Sequence, residues 1–284
     1  MLTTSHFVTK YKELSWMHNG MFGGFTGTKN PSGSDWGEQM LNTVASKTIR
    51  HLFTQSESID VSVRCHPSSK LLQGSIDSFK VSGRGLVIRR QFRAEELSFE
   101  TDAVSLDFSS VLKGQISLKQ PTQAIAQVVL TEDDINQSFK AELVRKRLEN
   151  IAIPSLSELS GGESVSFTDV QVQLQPNNRV RIFAKAELPE HGLVPISLSS
   201  TLAVERRRRV LFQNSQFEPD NVPESLREIS QTLTAALDDI LNNMVDLDRF
   251  NLDGATMRIN RLETQGKMLI FSGYAQIERI PNNP

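Results

Sequence analysis

The stretch ESLREISQTLTAALDDILNNMV, Glu224 to Val245, carries the clearest secondary-structure pattern in the chain. Its apolar residues recur at steps of three and four, the spacing of one face of an α-helix. Pro223 and the capping-box pair Ser225 and Glu228 predict where the helix begins. At 1.5 Å per residue, this helix would be about 30 Å long. The apolar stripe consists of Leu226, Ile229, Leu233, Leu237, Ile240 and Met244.

The segments on either side of this helix alternate apolar and polar residues, which predicts half-buried strands. An example is IDVSVRC, Ile59 to Cys65. Short turns with Gly, Asp or Ser join these segments and favour antiparallel hairpins over parallel βαβ units. Two further amphipathic helices are predicted, one from Asp35 and one over TEDDINQSFKAELVRKRLEN from Thr131. The chain is therefore expected to be α+β, a curved antiparallel sheet with long amphipathic helices lying against it.

The N-terminal segment differs from the rest in composition. NGMFGGFTGTKNPSGS, residues 19–34, is rich in Gly, Ser, Asn and Thr, which predicts a flexible N-terminal arm over residues 1–33. Residues 34–284 are expected to form a single domain. The loop PSLSELSGGES leaves open a division into two lobes that meet near residues 154–164.

The charge balance argues against a general nucleic-acid binder. Among 284 residues, 31 are Lys or Arg and 33 are Asp or Glu, so that the formal net charge is −2, whereas nucleic-acid-binding domains are typically basic. A single cysteine precludes an internal disulfide. No apolar run resembles a signal peptide or is long enough to span a bilayer, so we expect no transmembrane helix.

Four consecutive arginines interrupt this balanced composition in AVERRRRVLF, residues 203–212. If the segment is extended, Arg206 and Arg208 project from one face of the strand and Arg207 and Arg209 from the other. No aromatic residues lie between them, which argues against a nucleic-acid track. Two interpretations stay open. The arginines protect a strand end, or they contact lipid headgroups or an anionic membrane surface, at about 1 kcal/mol each. VRKRLEN, residues 144–150, is a second basic cluster.

Signatures of catalysis are poor. The chain has no nucleophile elbow and no phosphate-binding loop of the P-loop type, and its five histidines are scattered. We therefore predict no enzyme, no metal and no cofactor.

The long apolar stripe has two interpretations. Such a stripe is usually plain core, but a helix lying in the concavity of a curved sheet also forms one wall of an apolar tunnel. The small residues Ala235, Ala236 and SLSS, Ser197 to Ser200, would leave room in that tunnel. The six stripe residues are accordingly candidates for an acyl-chain groove, with Arg206–Arg209 at its mouth.

Several segments between Ile59 and Ile277 resemble a bacterial family whose named member is the LmeA phospholipid-binding protein. They include the strand motif GSIDSFKV, Gly74 to Val81, the helix entry LTEDDIN, Leu130 to Asn136, and the closing strand pair LDGATMRINRLETQGKMLIFSGYAQI. The sequence is especially similar to the cyanobacterial branch of this family. The resemblance implies a strongly curved antiparallel sheet around a long helix, as in tubular lipid-binding (TULIP-like) domains, and an apolar groove that holds lipid. It implies no catalytic residues.

The functional expectation follows from the resemblance, the stripe and the basic segments together. The protein is expected to bind, and to be capable of transferring, a phospholipid or glycolipid at the cytosolic face of an inner or thylakoid membrane. The alternative is a scaffold or assembly factor that binds a membrane protein complex through its surface and residues 1–33. No nucleic-acid partner is expected.

Overall fold

A computed structural model describes residues 36–67, 69–88, 91–157, 159–249 and 254–279. The helices are α1 Trp36–Arg50, α2 Ser69–Leu72, α3 Phe108–Leu112, α4 Glu132–Ser138, α5 Glu142–Arg145, α6 Pro154–Ser157 and α7 Arg227–Asn242. The strands are β1 Ser58–Arg64, β2 Ser75–Ile76, β3 Ser78–Ile88, β4 Phe92–Thr101, β5 Val104–Ser105, β6 Thr122–Thr131, β7 Phe167–Leu174, β8 Arg179–Leu188, β9 Gly192–Glu205, β10 Arg209–Phe217, β11 Ala255–Gln265 and β12 Met268–Ile277.

The strands form two main antiparallel sheets. The first has the order β1-β3-β4-β6-β12-β11 and the second the order β10-β9-β8-β7, while β2 and β5 pair separately. The expected α+β class with antiparallel pairing is confirmed. The strongly curved sheet wrapped around helices was a wrong expectation, because both main sheets stay open and are not strongly curled. The TULIP-like shape and the long helices are not confirmed.

The stretch that carries the apolar stripe folds as expected in its middle and differently at its start. Pro223 opens a 3₁₀ turn, Glu224–Leu226, in which the Leu226 N–H donates to the Pro223 carbonyl at 2.9 Å. The α-helix α7 therefore begins only at Arg227, with no side-chain cap. The predicted capping box of Ser225 and Glu228 is wrong, since the 3₁₀ turn displaces the helix start. Helix α7 lies against β9 and β10.

The predicted helix from Thr131 begins as expected but is interrupted. Thr131 and Asp134 form the capping box at the start of α4. Ala141, which is buried, takes an extended backbone with ψ 137°, so that α5 forms separately. Long-range contacts also hold α4 in place. Helix α4 is tied to strand β7, where the Val172 N–H donates to the Asn136 side chain at 2.7 Å and the Leu174 N–H donates to the Glu132 carboxylate at 2.9 Å.

Each edge of the two main sheets is paired with an asparagine side chain. Asn42 of α1 bonds both main-chain groups of Val63 on β1, and Asn136 of α4 does the same at Val172 on β7. Asn242 of α7 bonds both groups of Phe212 on β10. Asn178, in the β7–β8 turn, bonds the Leu262 carbonyl and the Thr264 N–H on β11. These amides satisfy main-chain groups that an open edge would leave unpaired.

Buried apolar side chains form two clusters. The smaller cluster lies near the N-terminal side of the first sheet and includes Leu41 of α1 and Ile76 of β2. The larger cluster joins α7, the second sheet and strands β11 and β12. Strand β9 is covered on both faces between Ile196 and Ser200, because α7 lies on one side and the chain from Phe217 to Val222 returns on the other. The larger cluster is the main core.

Three expectations on organisation are not tested by this fold. The N-terminal arm, residues 1–33, and Asp35 lie outside the described residues. A scaffold role of the arm is therefore not tested either. The single domain over residues 34–284 and the lobe boundary near residues 154–164 stay predictions.

Candidate functional site

The apolar stripe of α7 faces the main core. Leu233 and Leu237 are completely buried, and Met244 is buried at 8% exposure. Leu226, Ile229 and Ile240 are half-buried and pack against the same cluster. In the described conformation these six side chains are thus covered by the protein itself. Their assignment to an acyl groove stays a prediction, and it requires α7 to move away from the sheet.

A row of polar residues runs along α7 beside the stripe, at steps of four: Ser230, Thr234, Asp238 and Asn242. The Ser230 hydroxyl donates to the Pro195 carbonyl at 2.7 Å. The Ser215 hydroxyl donates to the Asp238 carboxylate at 2.6 Å, and Asn242 bonds the main chain of β10. The sequence shows this spacing, but only the structure reveals that these four residues lie against strands β9 and β10.

Two members of this row are unusual for a helix–sheet interface. The Thr234 hydroxyl is buried and has no hydrogen-bond partner within the described part of the chain. Burial raises the pKa of the Asp238 carboxyl, and the neighbouring Asp239 carboxylate adds to the rise, while hydrogen bonds from Ser215 and Asn242 oppose it. Unsatisfied and desolvated polar groups reduce stability, so α7 is held less tightly than its apolar stripe alone would indicate.

The first three of the four arginines, Arg206 to Arg208, form the turn between β9 and β10, and Arg209 begins β10. The Arg208 N–H donates to the Glu205 carbonyl at 3.1 Å, and Arg206 and Arg207 have φ values of 47° and 60°. This is the geometry of a type I′ hairpin turn, which usually carries Asn and Gly. The expectation of an extended strand with arginines on alternating faces was wrong, because the chain reverses direction at these residues.

Two of the arginines, Arg207 and Arg208, contact side chains far along the sequence. Arg207 bonds the Asn260 side chain, and its guanidinium carbon lies 4.7 Å from the centre of the Tyr274 ring. Arg208 pairs with Asp248 at 2.6 Å. That ion pair, together with Arg258, lowers the pKa of Asp248.

The remaining two arginines differ from each other. Arg209 donates to the Asn242 carbonyl at 2.9 Å and pairs with Glu205 at 3.1 Å. Arg206 is exposed, and its side chain contacts no hydrogen-bonding or acidic partner among the described residues. The structure thus leaves Arg206 as the arginine whose charge is most available to an external anion.

The second basic cluster meets the arginine turn at the C-terminal end of α7. Arg147 donates to the Met244 carbonyl at 2.9 Å, just beyond the point where Arg209 bonds Asn242. Cations near the last carbonyls of a helix are favourable because they oppose its dipole. Arginines from two distant parts of the sequence consequently bond main-chain carbonyls at the C-terminal end of α7.

A cavity of about 510 Å³ lies between the α4–α5 segment and β7. Its apolar lining comprises Phe139, Leu148, Phe167 and Val170, all of which pack in or against the main core. The volume is within the range of about 300–1,000 Å³ that is typical of small-molecule sites. No sequence pattern predicted this cavity, because its walls come from segments separated by the loop near residues 154–164.

The polar lining of the cavity carries both signs of charge. Arg145 pairs with Glu149 at 3.1 Å, and Asp169 pairs with Lys185 at 2.9 Å. Asp133 and Lys140 also line the cavity.

The described residues contain no group of three or more His, Cys, Asp or Glu side chains placed to hold a metal ion. In the same part of the chain, no helix is both long and apolar enough to cross a bilayer.

An amphipathic helix packed on an antiparallel sheet, with a second sheet beside it, makes this chain an α+β protein. The comparison with protein families makes the assignment specific. The chain belongs to the LmeA-like phospholipid-binding family, whose family model matches residues 33–273. The resemblance seen in the sequence is thereby confirmed.

Other comparisons add little. No curated protein matches the chain. Among solved structures, the chain is similar to the di-domain ARO/CYC StfQ from the steffimycin biosynthetic pathway, at 8% identity over 86% of this chain and 82% of that chain. The TM-score of that superposition is 0.15, too low to support an argument.

Proposed function

We propose that this protein binds a membrane lipid, a phospholipid or a glycolipid, without catalysing a reaction, at the cytosolic face of a membrane. Membership of a family described as phospholipid-binding is the observation that carries this proposal. Transfer of lipid between membranes follows if binding and release are both reversible.

The acyl chains would lie between α7 and the second sheet, against the six stripe residues. A small side chain favours opening at this interface, since Ala236 of α7 contributes little apolar area. The unpartnered Thr234 hydroxyl and the desolvated Asp238 carboxyl also lower the cost of separating α7 from the strands. Lipid tails would then replace the apolar contacts that α7 gives up.

The arginine turn is proposed as a contact with the membrane surface. This role falls mainly to Arg206, because Arg207, Arg208 and Arg209 already hold other parts of the protein. One exposed arginine near an anionic surface contributes about 1 kcal/mol, enough to orient the protein but not to bind it alone.

A disulfide across the interface tests whether α7 must open. Ser215 and Asp238 are in hydrogen-bond contact at 2.6 Å, so Ser215→Cys with Asp238→Cys brings two thiols close to each other across the interface. The native Cys65 is buried, and burial raises the pKa of its thiol, which keeps it out of disulfide exchange.

The measurement is lipid uptake from vesicles, followed in oxidised and reduced forms of the double variant. We expect the oxidised form to take up no lipid and the reduced form to match the unmodified protein. Equal uptake by both forms would show that lipid does not enter beneath α7. The same protein sample serves as its own control, because only the disulfide differs.

A further inference from the structure

Two one-turn helices that contact the smaller cluster share a sequence pattern. SKLLQGSI, Ser69 to Ile76, and SSVLKGQI, Ser109 to Ile116, have Ser, Leu, Gly and Ile at the same positions. Helices α2 and α3 each end at the shared leucine, and the glycine that follows has a left-handed backbone, with φ 75° at Gly74 and 76° at Gly114. A glycine in this conformation ends a helix sharply. The two segments therefore form the same kind of turn.

Each of these turns buries one aliphatic side chain and exposes the next. Leu71 and Val111 are buried in the smaller cluster. Leu72 and Leu112 follow them and are 70% and 61% exposed, because consecutive side chains on a helix point about 100° apart. A single exposed leucine is ordinary, but these two are the most exposed large apolar side chains in the described part of the chain.

The pairing of β2 with β5 brings the two turns together. These strands are antiparallel. Helix α2 leads into the start of β2 and α3 follows the end of β5, and in an antiparallel pair these two strand ends adjoin. The Leu106 N–H donates to the Gly74 carbonyl at 2.6 Å, which extends the pairing toward the helices. Leu72 and Leu112 therefore lie beyond the same end of this strand pair.

Lysines flank both exposed leucines. Lys113 directly follows Leu112, and Lys119 donates to the carbonyl of Gln73, the residue after Leu72, at 3.4 Å. Both lysines are exposed. We call Leu72, Leu112, Lys113 and Lys119 the leucine tip. It combines apolar and cationic side chains on one surface.

The charge around the leucine tip is positive. Residues 64–77 and 104–120 contain four basic and two acidic side chains. Both acids are engaged internally, since Asp77 pairs with Lys70 at 2.5 Å and Asp107 accepts a hydrogen bond at the start of α3. An anionic surface is therefore the complementary partner in charge.

The arginine turn contacts the first sheet near the same end. Arg207 lies over the ring of Tyr274 on β12. Through β6 and β4, the strand register places Tyr274 level with Lys80 of β3. Lys80 is close to the start of β3, the end that β2 leads into. Three strand spacings, about 14 Å, separate β3 from β12. The contact already proposed for Arg206 and the leucine tip are thus at one end of this sheet.

We propose that the leucine tip docks the protein on an anionic phospholipid membrane, with Leu72 and Leu112 inserted between the headgroups and Lys113 and Lys119 against the phosphates. An apolar insertion combined with cations is the pair of signals that holds a protein on a membrane surface. The lysines disfavour a second copy of this chain as the partner, because two facing tips would oppose like charges. The inference rests on the proposed function for its setting at a membrane, but it requires no lipid inside the protein.

The test measures cosedimentation with vesicles of phosphatidylglycerol and phosphatidylcholine. Leu72→Ser and Leu112→Ser should each weaken binding about tenfold, and the double variant about a hundredfold, because each change removes one leucine from the membrane. Both side chains are exposed, so the variants should fold. Leu193→Ser is the matched control, because Leu193 is 54% exposed and lies at the opposite end of β9 from the arginine turn. It should bind as the unmodified protein does.

The lysines are tested in the same assay. Lys113→Gln and Lys119→Gln should each weaken binding to the anionic vesicles about fivefold and leave binding to pure phosphatidylcholine vesicles unchanged. Lys267→Gln is the control, because the exposed Lys267 lies at the opposite end of β12 from Tyr274. An equal effect of all three lysine substitutions would reduce the attraction to net charge and contradict a specific tip.

Three results would overturn the leucine tip. They are absence of binding of the unmodified protein to anionic vesicles, equal binding by Leu72→Ser, Leu112→Ser and Leu193→Ser, and a dimer of the unmodified protein that Leu72→Ser dissociates. The last result would assign this surface to a second copy of the chain.

Uptake of monomeric dihexanoylphosphatidylglycerol, which needs no membrane, separates this inference from the proposed function. The double variant should take up this lipid as the unmodified protein does. If the leucine variants lose vesicle binding and neither protein takes up the soluble lipid, docking stands and the proposed lipid binding fails. If only the double variant loses uptake, the leucines belong to a lipid site and the docking role is contradicted.

Discussion

The side-chain amide of Asn242 pairs with both main-chain groups of Phe212. The Phe212 N–H donates to Asn242 Oδ1 at 2.8 Å, and Asn242 Nδ2 donates to the Phe212 carbonyl at 3.2 Å. The last turn of α7 thereby takes the place of a neighbouring strand at the edge of β10. The same arrangement at the other sheet edges explains how two open sheets avoid unpaired edge groups without closing.

Asn242→Asp should weaken this attachment. The carboxylate cannot donate to the Phe212 carbonyl, and it adds a negative charge beside Asp238, so we expect the free energy of unfolding to fall by about 2 kcal/mol. Asn243→Asp is the control, because it places the same charge at the same helix end but Asn243 is exposed and bonds only within α7. Urea denaturation measures both. Equal losses for the two variants would contradict a specific role for the Phe212 contact.

Arg206→Gly should stabilise the protein. Arg206 has a left-handed backbone with φ 47°, a conformation that costs a non-glycine residue about 1 kcal/mol. Because its side chain gives up no internal contact, the free energy of unfolding should rise by about 0.5–1 kcal/mol.

Arg207→Gly provides the comparison, since it relieves similar strain but loses the contacts with Asn260 and Tyr274. It should gain less stability than Arg206→Gly or lose some. If Arg206→Gly lowers stability in urea denaturation, then Arg206 has an internal role that the described contacts do not reveal. If it also weakens binding to anionic vesicles, the strained arginine serves membrane contact at a cost in stability.

The pH dependence of stability should report on Asp238. Because burial raises the pKa of Asp238 in the folded protein, the folded state binds this proton more tightly than the unfolded chain does. The stability from that proton is present in full below the ordinary aspartate pKa of about 3.9. It is lost as the pH rises through the raised value.

Asp238→Asn removes this titration. Relative to the variant, the unmodified protein should lose unfolding free energy as the pH rises from about 4 to the raised pKa of Asp238. Above that pKa, the difference in unfolding free energy between the two proteins should stay constant. Asp239→Asn, at the exposed neighbouring position, should keep this fall but over a narrower pH range, because burial still raises the pKa of Asp238 while the contribution of the Asp239 charge is lost. Parallel curves for Asp238→Asn and the unmodified protein would mean that Asp238 ionises as freely in the folded state as in the unfolded chain.

Short-range sequence patterns were sufficient to predict part of this fold. Alternation gave the antiparallel strands, and the capping box at Thr131 marked the start of α4 correctly. The apolar steps between Leu226 and Met244 identified the side of α7 that the core covers. Each of these features depends on residues within a few positions of one another.

Structural features that depend on residues far apart in the sequence could not be predicted from such patterns. The hairpin turn at Arg206 and Arg207 lacks the usual Asn-Gly signal. It is held instead by Arg207, which bonds Asn260 and lies over the Tyr274 ring, more than fifty residues further along. The cavity likewise requires α4 and α5 to meet β7. No local sequence pattern predicts that a single asparagine such as Asn136 bonds the edge of a distant strand.

The most direct measurement is the mass and identity of lipid extracted from the purified, intact chain, before and after incubation with vesicles. The account predicts about one diacyl lipid per chain, retained through purification or acquired from the vesicles. A chain that is repeatedly free of lipid and extracts none from any vesicle, although it is folded, would contradict the account.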